Sequence, residues 1–313
     1  MRNGFSIFSG NSNLALSDDI CKILRIKRGD ASVTRFTDGE IMVKINENVR
    51  GNDVFVVQST SFPANDNMME LLILLDALKR ASAQRITAVL PYFGYARQDR
   101  KDQPRVAITA KLIANILTRA GASRVLTIDL HAGQIQGFFD IPVDHLYAVN
   151  TFVEYFEKKK IKNLVVVSPD VGGIKMARAY AKRLQADLAI VDKRRINDRE
   201  AEVMNILGAV KDKNVVIVDD IVATAGSLVE AANAVKSAGA RDIYSTITHP
   251  VLCGPAMERI QGSSIKELIV TNTIPIESSK MISKINVLSI APLLANAIKR
   301  IHDEESISIL FDE

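Results

Sequence analysis

The sequence has 313 residues, 47% of them hydrophobic and 24% charged, with a formal net charge of +4. This length suits two domains of about 150 residues, each with its own core, and the composition excludes an intrinsically disordered chain. With 5% aromatic residues and no Trp, the chain lacks the stacking side chains of a nucleic-acid surface, so no nucleic-acid partner is expected.

The N-terminal segment, residues 5–45, contains one predicted helix and one predicted hairpin. The helix covers residues 14–24. The hairpin strands, 33–36 and 41–45, turn at Asp38-Gly39, because Asp-Gly between apolar runs is a strong turn signal.

Short runs rich in Val and Ile then alternate with segments of helical period. The predicted strands are 54–57, 86–90, 125–128, 164–167, 188–191, 215–218 and 243–247, and the predicted helices are 67–79, 106–120, 174–184, 227–237 and 292–301. Such alternation is typical of parallel strands joined by crossover helices, so the predicted fold class is α/β with two similar domains, each a mainly parallel sheet flanked by helices. We predict domains at residues 1–146 and 147–290, followed by a C-terminal helix and a docked tail at 291–313.

The two cysteines, Cys21 and Cys253, lie far apart and in no CxxC spacing, so neither a disulfide framework nor a zinc site is indicated. The N-terminus has no charged leader followed by an apolar run, and no apolar stretch reaches the roughly 18 residues of a membrane span. We therefore expect a cytoplasmic protein without a membrane partner.

The segment after the predicted strand 215–218 carries the chemistry. Ligands of open parallel sheets bind beyond the carboxyl ends of the strands, where this chain places Asp219 and Asp220. The small residues Thr224-Ala225-Gly226-Ser227 then open a helix, so backbone N–H groups and two hydroxyls can surround a phosphate. The two carboxylates can hold ribose hydroxyls. For an Asp-Asp pair alone, an ordinary capped turn is the alternative interpretation.

The nine-residue string Asp219-Asp220-Ile221-Val222-Ala223-Thr224-Ala225-Gly226-Ser227 resembles the phosphoribosyl-diphosphate loop of type I phosphoribosyltransferases. It resembles more closely the ribose 5-phosphate loop of the ribose-phosphate diphosphokinases, or phosphoribosyl pyrophosphate synthetases. Further strings extend this resemblance over nearly the whole chain: FTDGE at 36–40, YARQDRK at 95–101, DLHAGQIQGFF at 129–139, SPDVGG at 168–173 and DKRR at 192–195.

The resemblance implies two domains of type I phosphoribosyltransferase-like fold and a specific reaction. The anomeric hydroxyl of ribose 5-phosphate attacks the β-phosphorus of ATP, AMP leaves, and the product is 5-phosphoribosyl 1-diphosphate, for nucleotide, His and Trp biosynthesis. The implied ribose 5-phosphate-binding residues are Asp219, Asp220, Ala223, Thr224, Ala225, Gly226 and Ser227.

ATP binding cannot use a Walker loop, because no GxxxxGK[ST] string is present. Arginine forks can grip phosphate oxygens, and acidic side chains can accept from adenine or ribose donors. Without the resemblance, the same residues would be interpreted as a surface ion-pair cluster. The implied ATP-binding residues are Phe36, Asp38, Gly39, Glu40, Arg97, Gln98 and Asp99.

His131 and Asp170 follow predicted strands at the ligand edge, and the resemblance assigns both to Mg²⁺. Mg²⁺ prefers oxygen ligands, so Asp170 is chemically natural, whereas the role of His131 rests on the resemblance. Asp170-Val171-Gly172-Gly173 is the implied diphosphate loop, in which glycines let backbone N–H groups approach the ligand.

Lys193 and Arg195 begin a polar stretch, residues 192–202, that we interpret as a mobile flap or, taken alone, as an exposed charged loop. The resemblance makes both cations catalytic. Charge spreads over the transferred group in such reactions, and positioned cations stabilise it.

Within this family, the chain resembles the larger class. That resemblance implies a homohexamer that inorganic phosphate activates and that ADP inhibits at a subunit interface. Arg50, Ser306 and Ser308 correspond to its regulatory phosphate site, but Asn48 stands where a Ser is usual, which leaves the response to phosphate and ADP open. Ala223 likewise replaces a usual Asp beside the ribose phosphate.

Two rival functions remain at this point. A phosphoribosyltransferase that consumes the product would need no ATP and would have a hydrophobic base pocket. A non-catalytic regulatory relative would lack the flap cations or the metal residues, yet Lys193, Arg195, His131 and Asp170 are all present.

Overall fold

A computed structural model describes residues 4–194 and 203–310, without the side chains of residues 193, 194, 203 and 204. The chain divides into two compact units. Unit 1 comprises Met1–Tyr147, Thr273–Pro275 and Ser289–Glu313, and unit 2 comprises Ala148–Asn272 and Ile276–Leu288.

Unit 1 is built on a parallel sheet of five strands. Its elements up to residue 147 are β1 (Phe5–Ser9), α1 (Leu14–Leu24), β2 (Ala31–Arg35), β3 (Ile41–Ile45), β4 (Asp53–Val57), α2 (Ala64–Arg80), β5 (Arg85–Leu90), α3 (Thr109–Ala120), β6 (Arg124–Ile128) and β7 (Val143–Leu146). The strand order is β1-β4-β5-β6-β7, while β2 and β3 pair separately as an antiparallel hairpin. The predicted hairpin is therefore confirmed.

Unit 2 contains a sheet of seven strands. Its elements are α4 (Val149–Lys159), β8 (Leu164–Ser168), α5 (Ile174–Arg183), β9 (Asp187–Arg194), β10 (Val203–Leu207), β11 (Asn214–Val222), α6 (Gly226–Ser237), β12 (Ile243–Pro250), α7 (Ala256–Gly262), β13 (Ile265–Thr271) and β14 (Ile285–Leu288). The order is β10-β9-β8-β11-β12-β13-β14, with β10 antiparallel and the other strands parallel. The predicted α/β class with mainly parallel sheets is confirmed.

Five strands of the described chain are not predicted from the sequence: β1, β7, β10, β13 and β14. Four of them are the edge strands of the two sheets, and β13 is next to an edge. Edge strands are covered on fewer sides and carry mixed polar and apolar residues, so their sequences lack the continuous apolar run of a central strand. In β14, for example, only the first of four residues is buried.

The chain closes with α8 (Ala291–His302), which returns to unit 1. Arg85 on β5 donates from Nε to Asp53 Oδ1 on β4 at 2.9 Å and from Nη2 to the Ile301 carbonyl at 3.1 Å. His302 Nδ1 lies 3.1 Å from Asp53 Oδ2, and the ring centroids of His302 and Phe5 are 4.6 Å apart. A largely buried ionic network thus fixes the last helix to two central strands.

Each unit has its own hydrophobic core. In unit 1, the core includes Val56, Leu74 and Leu117, and in unit 2 it includes Ile217 and Ala232. Among residues 4–194 and 203–310, no helix is both long enough and apolar enough to cross a bilayer.

Candidate active site

Two adjacent carboxylates lie near the carboxyl end of β11. The strand does not end at Val218 as the sequence predicted, because pairing with β12 continues through Asp219 opposite Ile247 to Val222. Asp220 is buried, and its backbone N–H donates to Asp219 Oδ1 at 2.9 Å.

The charge environment of Asp219 is strongly negative. Burial, the charge of Asp220 and a hydrogen bond with it, and more weakly the charge of Asp170, raise the pKa of Asp219 to about 8. Carboxylates in this situation favour a bound cation or a hydroxyl donor that compensates their charge.

The loop that the sequence implies for a phosphate is short. Ala223, Thr224 and Ala225 join β11 to α6, so Gly226 and Ser227 lie in the first turn of the helix. Ala225 precedes that turn with φ 59°, a left-handed conformation that a buried residue other than Gly adopts only when its surroundings impose it. Its side chain provides no cap, so the first N–H groups of α6 are available to an anion.

The implied diphosphate loop follows β8 in the same unit. Asp170 and Val171 are exposed. The carboxylate of Asp170 accepts from the Gly173 backbone N–H at 2.9 Å, and the backbone carbonyl of Asp170 accepts from Ser168 Oγ at 2.7 Å.

The N–H of Gly173 is used by Asp170 in this structure, while the role of the loop in binding a diphosphate stays a prediction. A Cβ on Gly173 would lie 2.8 Å from Ser168 Oγ, and one on Gly172 would lie 3.2 Å from Asp170 Oδ1. The glycines therefore let the aspartate fold back over the start of α5, which sequence reasoning did not foresee.

In unit 1, the first implied ATP segment is the tip of the β2–β3 hairpin. The Phe36 N–H donates to the Glu40 carbonyl at 2.8 Å, and the Glu40 N–H donates to Asp38 Oδ1 at 3.2 Å. Gly39 has φ +96°, which only glycine adopts easily, and Phe36 is 52% exposed. The tip thus presents an aromatic face and two carboxylates to solvent.

The second implied ATP segment rests on the end of β4. The Gly94 N–H donates to Thr60 Oγ1 at 2.7 Å, and a Cβ on Gly94 would approach the Thr60 carbonyl to 2.3 Å. This close contact fixes the turn that leads to Arg97 and Gln98, both of which are exposed.

Asp99 connects this segment with the one that contains His131. Asp99 Oδ2 accepts from Gln134 Nε2 at 3.0 Å, so two strings that are distant in sequence lie side by side in unit 1. His131 is exposed and follows β6, as predicted.

His145, which sequence reasoning missed, supports the His131 segment from β7. Its Nε2 accepts from the Leu130 N–H at 2.9 Å. Because a backbone N–H can only donate, Nε2 is the acceptor in this contact, while Nδ1 lies 3.2 Å from Gln136 Nε2. No sequence motif marks this residue, because the contact depends on the pairing of β7 with β6.

Lys193 lies in β9, opposite Met204 of β10, rather than in a loop. The first residues of the predicted flap, 192–194, belong to β9, because antiparallel pairing extends this strand to Arg194, and the mobility of the flap stays a prediction. Arg195 and the rest of that stretch lie outside the described residues.

The residues that the resemblance implies for a regulatory phosphate site fall in unit 1. The Arg50 N–H donates to Asn48 Oδ1 at 3.0 Å, so Asn48 shapes the backbone of this turn. Ser306 Oγ lies 2.7 Å from Ser308 Oγ, and Arg300 holds the Ser306 carbonyl at 3.1 Å.

Two family descriptions match the chain. The N-terminal domain of ribose phosphate pyrophosphokinase matches residues 5–121, and the phosphoribosyl synthetase-associated domain matches residues 193–312.

Similar proteins cover almost the full length. The ribose-phosphate pyrophosphokinase of Bacillus caldolyticus is 56% identical over 306 residues, which are 98% of this chain and 97% of the relative. The Bacillus subtilis enzyme of the same name is 54% identical over 305 residues, 97% of this chain and 96% of the relative. The crystal structure of phosphoribosylpyrophosphate synthetase from Mycobacterium smegmatis superposes with a TM-score of 0.91 at 41% identity, covering 96% of this chain and 100% of that one.

The raised pKa of Asp219 predicts a pH-dependent effect of Asp219→Asn on stability. The folded protein holds a proton on Asp219 that the unfolded chain releases above about pH 4, so this contribution to stability falls as pH rises towards 8. Without substrate or divalent metal, we expect the variant to exceed wild type by at least about 1 kcal/mol at pH 8, the equivalent of roughly one pKa unit, and to equal it at pH 4. Urea unfolding at both pH values measures the difference.

The exposed Asp212 provides the matched control, since Asp212→Asn should show no such trend. A pH-independent difference for Asp219→Asn would contradict the raised pKa.

Proposed function

The chain belongs to the ribose-phosphate pyrophosphokinase family, and from this premise we propose which residues perform its reaction. It is an ATP-dependent diphosphotransferase that converts ribose 5-phosphate and ATP into 5-phosphoribosyl 1-diphosphate and AMP, for nucleotide biosynthesis. The observation that carries the proposal for the acceptor site is the carboxylate pair, Asp219 and Asp220, beside the start of α6.

In this proposal, ribose 5-phosphate binds with its phosphate on the loop 223–227 and its ring hydroxyls on the two carboxylates. The first N–H groups of α6 and the hydroxyls of Thr224 and Ser227 suit a phosphate, since both side chains are exposed. Hydroxyl donors would also compensate the negative charge that raises the pKa of Asp219.

We assign ATP to the exposed hairpin tip and to the turn that ends at Asp99. Phe36 offers a face for a base, and Arg97 offers a guanidinium for phosphate oxygens. Gly39 and Gln98 are included because the hydrogen-bonded turns place them next to these groups. Val171 and Gly172 of the second unit, both exposed residues, are assigned to the diphosphate.

We propose Mg²⁺ as the cofactor and assign Asp170 in unit 2 and His131 in unit 1, each by itself, as residues that can contact it. The described residues contain no group of three or more His, Cys, Asp or Glu side chains that could cage a metal. Mg²⁺ usually keeps few protein ligands and uses substrate phosphates for the rest, and the exposed Asp170 carboxylate, whose charge acts on Asp219, fits that pattern. Bound Mg²⁺ would neutralise phosphate charge.

The chemical step requires one P–O bond to form and one to break. The anomeric oxygen of ribose 5-phosphate bonds to the β-phosphorus of ATP, the bond to the bridging oxygen of AMP breaks, and the hydroxyl proton is released. We propose that Lys193 and Arg195 stabilise the charge that develops on the transferred group.

The assignment is tested by incubating the purified protein with ATP, Mg²⁺ and ribose 5-phosphate and following the products by phosphorus NMR. We expect AMP and a diphosphate on the anomeric carbon to appear together, and only when ribose 5-phosphate is present. A base-transferring enzyme would give neither product, and free phosphate without AMP would indicate simple ATP hydrolysis.

Lys193→Ala tests the role of the first cation. We expect kcat to fall by at least about a thousandfold, the effect of a loop-borne cation on phosphoryl transfer, while both substrates still bind. Steady-state kinetics and equilibrium binding measure the two quantities. Lys162→Ala, at an exposed site in the same unit, should keep the wild-type rate. A Lys193 variant within tenfold of wild type would remove this residue from catalysis.

Regulation is proposed to follow the phosphate-activated class, as a homohexamer with phosphate and ADP as effectors. Arg50, Ser306 and Ser308 are the proposed phosphate contacts, and Asn48 supports the first of them through its backbone. We expect activity to rise with phosphate at fixed substrate and to fall with ADP. A flat response would discard the site, and light scattering would test the hexamer.

We also propose a cytoplasmic location, in keeping with two free cysteines, Cys21 and Cys253. Fractionation of the source cells would show the protein among soluble enzymes, and recovery from a membrane or secreted fraction would contradict the proposal.

A further inference from the structure

One segment of the chain, residues 252–259, lies behind the phosphate loop of unit 2 and binds it from that side. It contains the connection after β12 and the first part of α7. The Leu252 N–H donates to the Val222 carbonyl at 3.0 Å, and the Cys253 N–H donates to the Ala223 carbonyl at 2.9 Å. The third carbonyl in succession, that of Thr224, accepts from Arg259 Nη1 at 3.0 Å.

These three contacts orient the loop. In a trans peptide, the C=O of one residue and the N–H of the next point in opposite directions. Fixing the carbonyls of residues 222–224 towards the segment therefore turns the N–H groups of residues 223–225 away from it. Ala225, held at φ 59°, then directs the chain into α6. The N–H groups are thus arranged before any phosphate binds.

Arg259 differs from the other two donors because it acts through a side chain. Its Nη1 would be only 3.3 Å from a Cβ at position 226, so the guanidinium lies against the first residue of α6. Gly226 leaves the space for this approach. A permanent positive charge is therefore placed beside the loop that is assigned to the phosphate.

We propose that Arg259 is a positioning residue for ribose 5-phosphate: it fixes the Thr224 peptide and supplies positive potential to the phosphate loop. This inference rests on the proposed assignment of ribose 5-phosphate to that loop. None of the sequence strings used for the assignment includes Arg259, and its role follows from the three contacts of residues 222–224.

The test compares Arg259→Ala and Arg259→Lys with wild type, using initial rates of AMP formation with each substrate varied in turn. We expect Arg259→Ala to raise KM for ribose 5-phosphate by about tenfold or more, the loss of one charged hydrogen bond, and to change KM for ATP by less than about twofold. Arg259→Lys keeps the charge and should recover part of the loss. Calorimetric titration with ribose 5-phosphate should show the same order of affinities.

Arg241→Ala is the matched control, because Arg241 is exposed and lies just before β12, whereas the 252–259 segment follows the other end of that strand. We expect wild-type values of both KM constants for it. Thermal unfolding of all variants identifies any loss of folding. If Arg259→Ala does not fold, Arg259→Lys replaces it in the test, and we expect a smaller rise of KM that is confined to ribose 5-phosphate.

Equal changes in both KM constants, or none, in a folded variant would overturn the role of Arg259. Wild-type protein that forms no AMP from ribose 5-phosphate would instead contradict the proposed function, so the two failures are distinguishable.

Discussion

The burial of Asp219 and Asp220 near the end of β11 is the constraint on which unit 2 depends. Two adjacent carboxylates in a partly buried position repel each other and lose hydration, which costs free energy unless a ligand or a cation compensates. β11 is a central strand of its sheet, and Asp219 is paired with Ile247 of β12, so moving this carboxylate out to solvent would disturb that pairing. Asp170, after β8, adds to the same negative field.

The substrates proposed for this edge bring the compensation with them. Ribose hydroxyls donate hydrogen bonds to carboxylates, and Mg²⁺ adds positive charge where carboxylates have accumulated. In the protein without ligand, a proton on Asp219 compensates part of this charge below about pH 8, the raised pKa of that carboxyl, and a bound ligand can take over that role. A ligand that brings hydroxyl donors or Mg²⁺ to these carboxylates gains binding free energy from this compensation. A ligand without donors or positive charge does not.

Much of this could be predicted from the sequence, for identifiable reasons. The Val- and Ile-rich run at 215–218 is apolar on every side, so a buried central strand and polar residues after it were foreseeable. The extension of that strand to Val222 was not, because it depends on pairing with β12. The contact of His145 with the Leu130 N–H is likewise tertiary, and nothing in the residues around 145 indicates it.

The return of α8 to unit 1 has a consequence for how this protein can be divided. The chain leaves unit 1 after Tyr147, re-enters it at Thr273–Pro275, and comes back finally at Ser289. The backbone carbonyl of Thr273 accepts from Ser59 Oγ at 2.5 Å, and α8 contacts Asp53 and Arg85 through His302 and the Ile301 carbonyl. A fragment cut at residue 147 would lack both supports and would leave the Asp53 carboxylate without His302. The segment up to residue 147 is therefore not a portable module, and exchange of domains between relatives would have to carry the C-terminal helix with the N-terminal sheet.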